Sequence, residues 1–60
     1  MDYKSRRWRK KRESILKLDR YIDRVAVRYG KVQQANTVHH IYPVDEYPEY
    51  AFDNWNLISV

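Results

Sequence analysis

The absence of cysteine constrains this chain more than any other feature, because the chain has only sixty residues. A chain of this length removes only ~60% of its unfolded surface from water, so its hydrophobic core is marginal. Without cysteine it has neither a disulfide framework nor a thiolate metal site to compensate. Helix staples, an oligomer, a bound metal or residues beyond Val60 must supply the missing stability. The length excludes a multidomain enzyme, a barrel and a doubly wound sheet.

The charges are divided unequally along the sequence. All twelve basic residues lie between Lys4 and Lys31, and with four acids residues 1–31 carry a net charge of +8. Residues 32–60 contain four acids and no Lys or Arg, so their net charge is −4. This division indicates a polyanion-binding part joined to a part with another task, although a solvated basic helix explains the charge equally well. Within one small domain we therefore distinguish a basic helical region, residues 1–31, from residues 32–60.

The first half of the chain has the composition of helix. Ser5 is a capping residue, no glycine or proline follows it before Gly30, and Gly30 suits the left-handed position that ends a helix. The dipeptide Asp19-Arg20 is a candidate turn between two shorter helices. Spacings typical of one helical face relate six apolar side chains, which are Trp8, Ile15, Leu18, Ile22, Val25 and Tyr29.

The second half contains two strand candidates joined by a long loop. Residues 37–42 are β-branched and aromatic, residues 57–60 form a second short apolar run, and Pro43 and Pro48 bracket the start of the loop. We expect an α+β fold in which an N-terminal amphipathic helix or helix pair packs against a two-stranded antiparallel β-hairpin.

The adjacent histidines His39 and His40 are the strongest candidates for chemistry. Neighbouring side chains of a strand point to opposite sides, so the two rings cannot easily bind one ion, but they can take separate roles. For an isolated pair of histidines, one packed ring and one solvated ring is the more frequent outcome. The surrounding sequence is what favours a functional role.

Three segments of that surrounding sequence match one known pattern, namely Val38-His39-His40-Ile41-Tyr42-Pro43, the loop containing Tyr47-Pro48-Glu49, and Trp55-Asn56-Leu57-Ile58-Ser59. Together they resemble the HNH endonuclease family. The helix that precedes this core in many members, often phage-associated ones, is similar at Trp8, Arg12, Ile15-Leu16 and Asp19-Arg20-Tyr21. The resemblance runs from about Ser5 to Val60. It implies a ββα-metal fold, of which residues 32–60 form a partial core.

The resemblance also implies roles for three residues. His40 is expected to be the general base, which takes a proton from the water that attacks a phosphodiester, since imidazole titrates near neutral pH. His39 is expected to be a ligand of one divalent cation, Mg²⁺ or a transition ion. Asn56 is expected to hold the base or the loop in place by hydrogen bonds. The function implied is that of a metal-dependent DNA endonuclease.

The structural zinc of many family members cannot form in this chain. Asp23 and Ala26 stand where those members carry a Cys-x-x-Cys pair. We expect Ile22, Val25 and Tyr29 to pack apolar surface at that position instead, as in a cysteine-free branch of the family.

The position of the last residue is a second departure. The sequence ends at Val60, before the helix that carries the last histidine in the family, so we expect a short or truncated form. A metal held by His39 without that histidine is expected to be weakly bound, and the sixty residues alone to show little or no catalysis. The uncovered strands are expected to need a dimer partner or a missing C-terminal segment.

Six cations occur within seven positions around Trp8, and we expect them to bind nucleic acid. Over seven residues a helix turns almost twice, so these cations surround it and attract phosphates without reading sequence. A solubilising or targeting tail is the alternative. The register of Trp8 with Ile15 favours a core position over base stacking. The six cations are Arg6, Arg7, Arg9, Lys10, Lys11 and Arg12.

The tyrosines of the acidic half are expected to pack the loop onto the helix, because a phosphate backbone would be repelled there. These residues are Tyr42, Tyr47 and Tyr50. The acids beside them, Asp45, Glu46 and Glu49, lack the spacing of a calcium loop, which favours a solvated loop.

No apolar run approaches the ~20 residues of a membrane span, and no signal-peptide pattern is present, so we expect a soluble, cytoplasmic protein.

Two functions other than that of an endonuclease stay open. One is a non-catalytic nucleic-acid-binding remnant, and the other is an interaction fragment whose strands recruit a missing helix.

Overall fold

The computed structural model describes all sixty residues, and it confirms the α+β prediction. A helix α1 at Arg6–Leu18 and a short helix α2 at Arg24–Arg28 precede two strands, β1 at Val38–His40 and β2 at Leu57–Ser59. The strands form an antiparallel pair in which His40 lies opposite Leu57 and Val38 opposite Ser59. Their long connection includes single 3₁₀ turns at Pro48–Tyr50 and Asn54–Asn56.

Helix α1 begins and ends where the local sequence predicts. The Ser5 hydroxyl accepts a hydrogen bond from the Trp8 N–H at 3.1 Å, which satisfies one free donor of the first turn. The helix ends at Leu18, and the chain reverses through Arg20 and Tyr21, both with positive φ, of 56° and 57°. The predicted turn at Asp19-Arg20 is therefore confirmed.

A second cap begins α2 immediately after this turn. The Asp23 carboxylate accepts hydrogen bonds from the N–H groups of Val25 and Ala26, both at 2.9 Å. Gly30 follows α2 with φ of 74°, the left-handed conformation expected after a helix.

The prediction of one continuous apolar face across both helices is wrong. Trp8 and Ile15 are buried, but Leu18 is 68% exposed and Tyr29 is 77% exposed. For Tyr29 the reason is the pair of left-handed residues between the helices, which interrupts the regular rotation on which the spacing argument depends, whereas Leu18 lies before that pair as the last residue of α1. Val25 is also exposed, so the expected packing of Ile22, Val25 and Tyr29 at the zinc position is wrong as well; the buried residue of α2 is Ala26.

One small core joins the two halves of the sequence. It contains six buried apolar residues, which are Trp8, Ile15, Leu16, Ala35, Val38 and Leu57, and the half-buried Phe52 packs against it. A polar contact fixes the hairpin to the end of α1, since the Asp19 carboxylate accepts from the Ser59 N–H at 3.3 Å. A second contact joins the turn after α1 to the segment before β1, where the Ala35 N–H donates to the Tyr21 carbonyl at 2.7 Å. Neither helix has the length and apolarity needed to cross a bilayer.

Candidate functional site

An open cleft of about 510 Å³ lies between the start of α1 and strand β1. Both histidines line it, so the fold brings His39 and His40 to one cavity although they are neighbours on a strand. Arg12 lines the same cleft and is the member of the basic cluster that does so. Trp8 and Asp45 contribute to the walls. The cleft therefore combines two imidazoles, a guanidinium and a carboxylate.

His40 is held from two directions. Its Nε2 lies 3.0 Å from the carbonyl oxygen of Ala51, and its ring stacks on the indole of Trp8 with centroids 5.0 Å apart. Because a carbonyl oxygen only accepts hydrogen bonds, this contact assigns the proton of the neutral ring to Nε2 and the lone pair to Nδ1. The half-buried ring is thus held in one orientation, with the lone pair of its neutral form on Nδ1.

His39 is exposed, and it lines the cleft together with Asp45. The number and type of the nearby side chains decide whether this place fits a divalent cation. No group of three or more His, Cys, Asp or Glu residues comes close enough together to hold a metal ion. The residues present therefore do not fit a complete metal site, since such sites use three or four protein ligands or many oxygens.

Asn56 is fully buried, and its side chain holds the loop between the strands. Its Oδ1 accepts from the Tyr42 N–H at 2.7 Å, and its Nδ2 donates to the carbonyl oxygens of Tyr42 and Tyr50 at 3.3 and 3.1 Å. The backbone carbonyl of Asn56 accepts a hydrogen bond from the Ile41 N–H at 2.8 Å, and Ile41 directly follows His40 in the sequence. Asn56 does not line the cleft, so the contacts of its side chain are with the loop and not with the base.

The basic cluster surrounds α1. Arg12 faces the cleft and donates to the Asn36 carbonyl at 3.4 Å, whereas Arg7, Lys10 and Lys11 line a separate groove with Phe52. Arg6 and Arg9 are exposed. Trp8 is only 3% exposed, which confirms its predicted place in the core.

The three tyrosines of the loop are placed differently from the expectation. Their ring partners are one another and Trp55: Tyr47 stacks on Tyr50 at 5.6 Å, and Tyr42 and Tyr50 lie 5.8 and 4.9 Å from Trp55. The expected packing of these rings onto the helix is therefore wrong. They form a cluster within the loop together with Trp55.

Two parts of the site are not evident from the sequence. The Ala51 carbonyl that orients His40 is a backbone group, and no residue type announces it. Asp45, expected in a solvated loop, is exposed as such a residue would be, but it also lines the cleft.

Comparison with known proteins gives one informative match. No protein-family profile matches the sequence, and no curated protein is found as a relative. Among solved structures, the chain is similar to the crystal structure of the HNH endonuclease of the deep-sea thermophilic bacteriophage GVE2 with manganese ion, with a TM-score of 0.92 and 31% identity. The match covers 97% of this chain and 63% of that protein, so the chain spans less than two thirds of its length. The HNH resemblance and the fold predicted from the sequence are thereby confirmed.

Proposed function

We propose that this chain, which has the fold of an HNH endonuclease, forms the base-carrying part of a DNA phosphodiesterase site, with His40 as the general base. The observation that carries the proposal is the fixed orientation of the His40 ring between the Ala51 carbonyl and the Trp8 indole, in a cleft that also contains Arg12. In the same proposal the six cations of residues 6–12, within the basic helical region 1–31, bind the substrate electrostatically, and residues 32–60 form a partial ββα-metal core.

The proposed chemistry follows from the orientation of His40. Nδ1 accepts a proton from a water molecule, whose oxygen attacks the phosphorus of a phosphodiester while the bond to the leaving oxygen breaks. The Arg12 guanidinium attracts the anionic phosphate into the cleft, since guanidinium groups match phosphate oxygens in geometry and charge. Asn56 acts on this site indirectly, by holding the loop that follows β1.

His39 is proposed as one ligand of a divalent cation. The related phage endonuclease was crystallised with manganese, which supports a divalent ion for this cleft also. One imidazole is not a complete site, and the other side chains here do not supply three ligands together. The ion is therefore expected to be held weakly by these sixty residues.

A plasmid-nicking assay tests the proposal. The parent chain is incubated with supercoiled DNA, with and without Mg²⁺ or Mn²⁺, beside the variants His40→Ala and Glu46→Gln. Glu46 is an exposed acid of the loop that does not line the cleft, so it is a suitable control. We expect slow, metal-dependent nicking by the parent and the control, none by His40→Ala, and similar DNA binding by all three. Equal nicking by His40→Ala and the parent would defeat the assignment.

A second function is favoured by the incomplete metal site. In it the chain is a non-catalytic nucleic-acid-binding unit, whose basic helix contacts phosphates while the hairpin is structural. Titration with Zn²⁺, followed by NMR of the two imidazole rings, separates the two proposals. Saturable shifts of the His39 or His40 signals as the metal is raised to excess support the nuclease, whereas signals unchanged at that excess support the binding unit.

A further inference from the structure

A groove of about 400 Å³ lies along α1, separate from the histidine cleft. Five residues line it: Arg7, Lys10, Lys11, Ser14 and Phe52. Three of them are cations, one is a hydroxyl, and none is an acid. None of the five lines the histidine cleft.

Two of the three cations in the groove are held by neighbouring side chains. The guanidinium of Arg7 lies over the Phe52 ring, 3.9 Å from its centroid, and the Lys11 ammonium donates to the Asn54 side-chain oxygen. Phe52 is itself fixed, since its ring lies 6.1 Å from Trp8 and packs on the core. Because the stacking fixes only the plane of the guanidinium, its N–H groups stay available at the edge. The groove therefore presents partly ordered donors, which lose less entropy on binding an anion.

The groove and the cleft lie on different sides of α1. At 100° per residue, Arg7 and Lys11 project within ~40° of each other, whereas Arg12 projects ~100° away from Lys11, toward the cleft. A helix with its side chains is ~10–12 Å across, so an extended polyanion that crosses α1 can occupy both places at once.

We propose that this groove is a second anchoring site for the sugar-phosphate backbone of DNA, with Arg7, Lys10 and Lys11 as the phosphate-binding residues. The inference deepens the proposed function, on which it rests for the identity of the polyanion. It separates Arg12, which serves the phosphate in the cleft, from the three groove residues, which hold the same DNA outside the reacting position, while Arg6 and Arg9 line neither place.

Matched charge variants test the groove. The variant Arg7→Gln/Lys10→Gln/Lys11→Gln and the control Arg24→Gln/Arg28→Gln/Lys31→Gln each remove three cations, which lowers the formal net charge from +4 to +1. The three control residues are exposed and lie in α2 or after it. Binding of a labelled duplex is measured by anisotropy in a chelator, over a series of salt concentrations, so that cleavage cannot contribute.

The groove variant is expected to bind the duplex at least tenfold more weakly than the control does. For each phosphate contact that the groove variant loses, the magnitude of its slope of log affinity against log salt concentration is expected to fall by ~0.9. For the control variant, the total fall of this slope is expected to be less than ~0.9. Equal weakening of the two variants would show that only net charge matters and would overturn the proposal. Circular dichroism of both variants establishes that they fold.

The variant Phe52→Leu tests the ordering of Arg7 with all charges kept. We expect severalfold weaker duplex binding with an unchanged salt slope, because the number of neutralised phosphates stays the same. Binding equal to that of the parent would contradict a role for the stacked guanidinium. These measurements are independent of nicking: a parent that binds through the groove but nicks no better than His40→Ala rejects the nuclease proposal and keeps the groove.

Discussion

The imidazole of His40 lies nearly parallel to the indole of Trp8, with ring centroids 5.0 Å apart and planes inclined by 22°. Trp8 is in the first turns of α1 and His40 ends β1, so this contact joins the basic helix to the proposed general base. Trp8 also belongs to the six-residue core. The orientation of the candidate base and the stability of the fold therefore depend on the same side chain.

Replacement of Trp8 by alanine is expected to unfold the chain. Removing a buried Trp costs about 3–5 kcal/mol, which equals the ~3–5 kcal/mol that a core of this size supplies in total. Trp8→Phe keeps an aromatic ring and is expected to stay folded. Trp55→Ala is the matched control, since Trp55 is 55% exposed, and we expect it to lose no more than ~1 kcal/mol. Urea unfolding followed by circular dichroism measures all three; a folded Trp8→Ala variant would contradict the argument.

Asn56 contributes to stability through the loop rather than through the cleft. Asn56→Ala removes hydrogen bonds to Tyr42 and Tyr50 and leaves partly buried backbone groups without these partners, so we expect a loss of ~2–3 kcal/mol. Asn56→Asp keeps the acceptor for the Tyr42 N–H but places an oxygen against two carbonyls, and we expect a similar loss at neutral pH.

The control for Asn56 is Asn54→Ala. Asn54 is exposed and accepts a hydrogen bond from Lys11, so its replacement is expected to change stability by less than ~0.5 kcal/mol. Urea unfolding gives the free energies, and limited proteolysis reports opening of the loop. Equal stability of the Asn56 and Asn54 variants would show that the loop is held by other contacts.

The predictable part of the fold is local. The cap at Ser5, the turn at Asp19-Arg20, the left-handed Gly30 and the two strands all follow from residue types over a few positions. The direction of α2 is not predictable, because it depends on two consecutive left-handed residues, Arg20 and Tyr21. Neither arginine nor tyrosine is a residue type that indicates a positive φ. That is why a spacing argument carried across them places Tyr29 wrongly in the core.

The candidate site is predictable in its residues and not in its geometry. His39 and His40 follow from their context, but the partners that orient His40 come from α1 and from the Ala51 carbonyl, eleven residues away. Tertiary packing decides such contacts. The same holds for the division of the basic cluster between two surfaces, since a spacing of one or two residues cannot show which side of α1 faces β1.

The hydrogen bond between Tyr21 and Glu13 predicts a late-titrating tyrosine. The Tyr21 hydroxyl donates to the Glu13 carboxylate, which raises the pKa of Tyr21 above its ordinary value, and desolvation and the charge of Glu13 act in the same direction. A raised pKa in the folded state means that the bond stabilises the fold below pH ~10 and that this contribution is lost as the pH rises through the folded-state value.

Ultraviolet absorbance of tyrosinate measures this effect during an alkaline titration. Tyr21→Phe is expected to remove the component that ionises last, and Glu13→Gln to move it toward the ordinary tyrosine value. The stability difference between the parent and Tyr21→Phe is expected to disappear at high pH. A parent titration in which all six tyrosines ionise together near pH ~10 would contradict the prediction.

The left-handed residues between and after the helices predict opposite effects of glycine and alanine. Arg20 has φ of 56°, a conformation that costs an L-residue ~1–2 kcal/mol, so Arg20→Gly is expected to stabilise the chain by up to ~1 kcal/mol after the added entropy of glycine in the unfolded state. Gly30 has φ of 74° and open space where a Cβ would lie, so Gly30→Ala is expected to destabilise by ~1 kcal/mol through the backbone alone. Urea midpoints with unchanged slopes measure both changes, and Gly30→Asn, which tolerates this conformation, is expected to lose less than Gly30→Ala. Destabilisation by Arg20→Gly would mean that the Arg20 side chain contributes more to the fold than its backbone conformation costs.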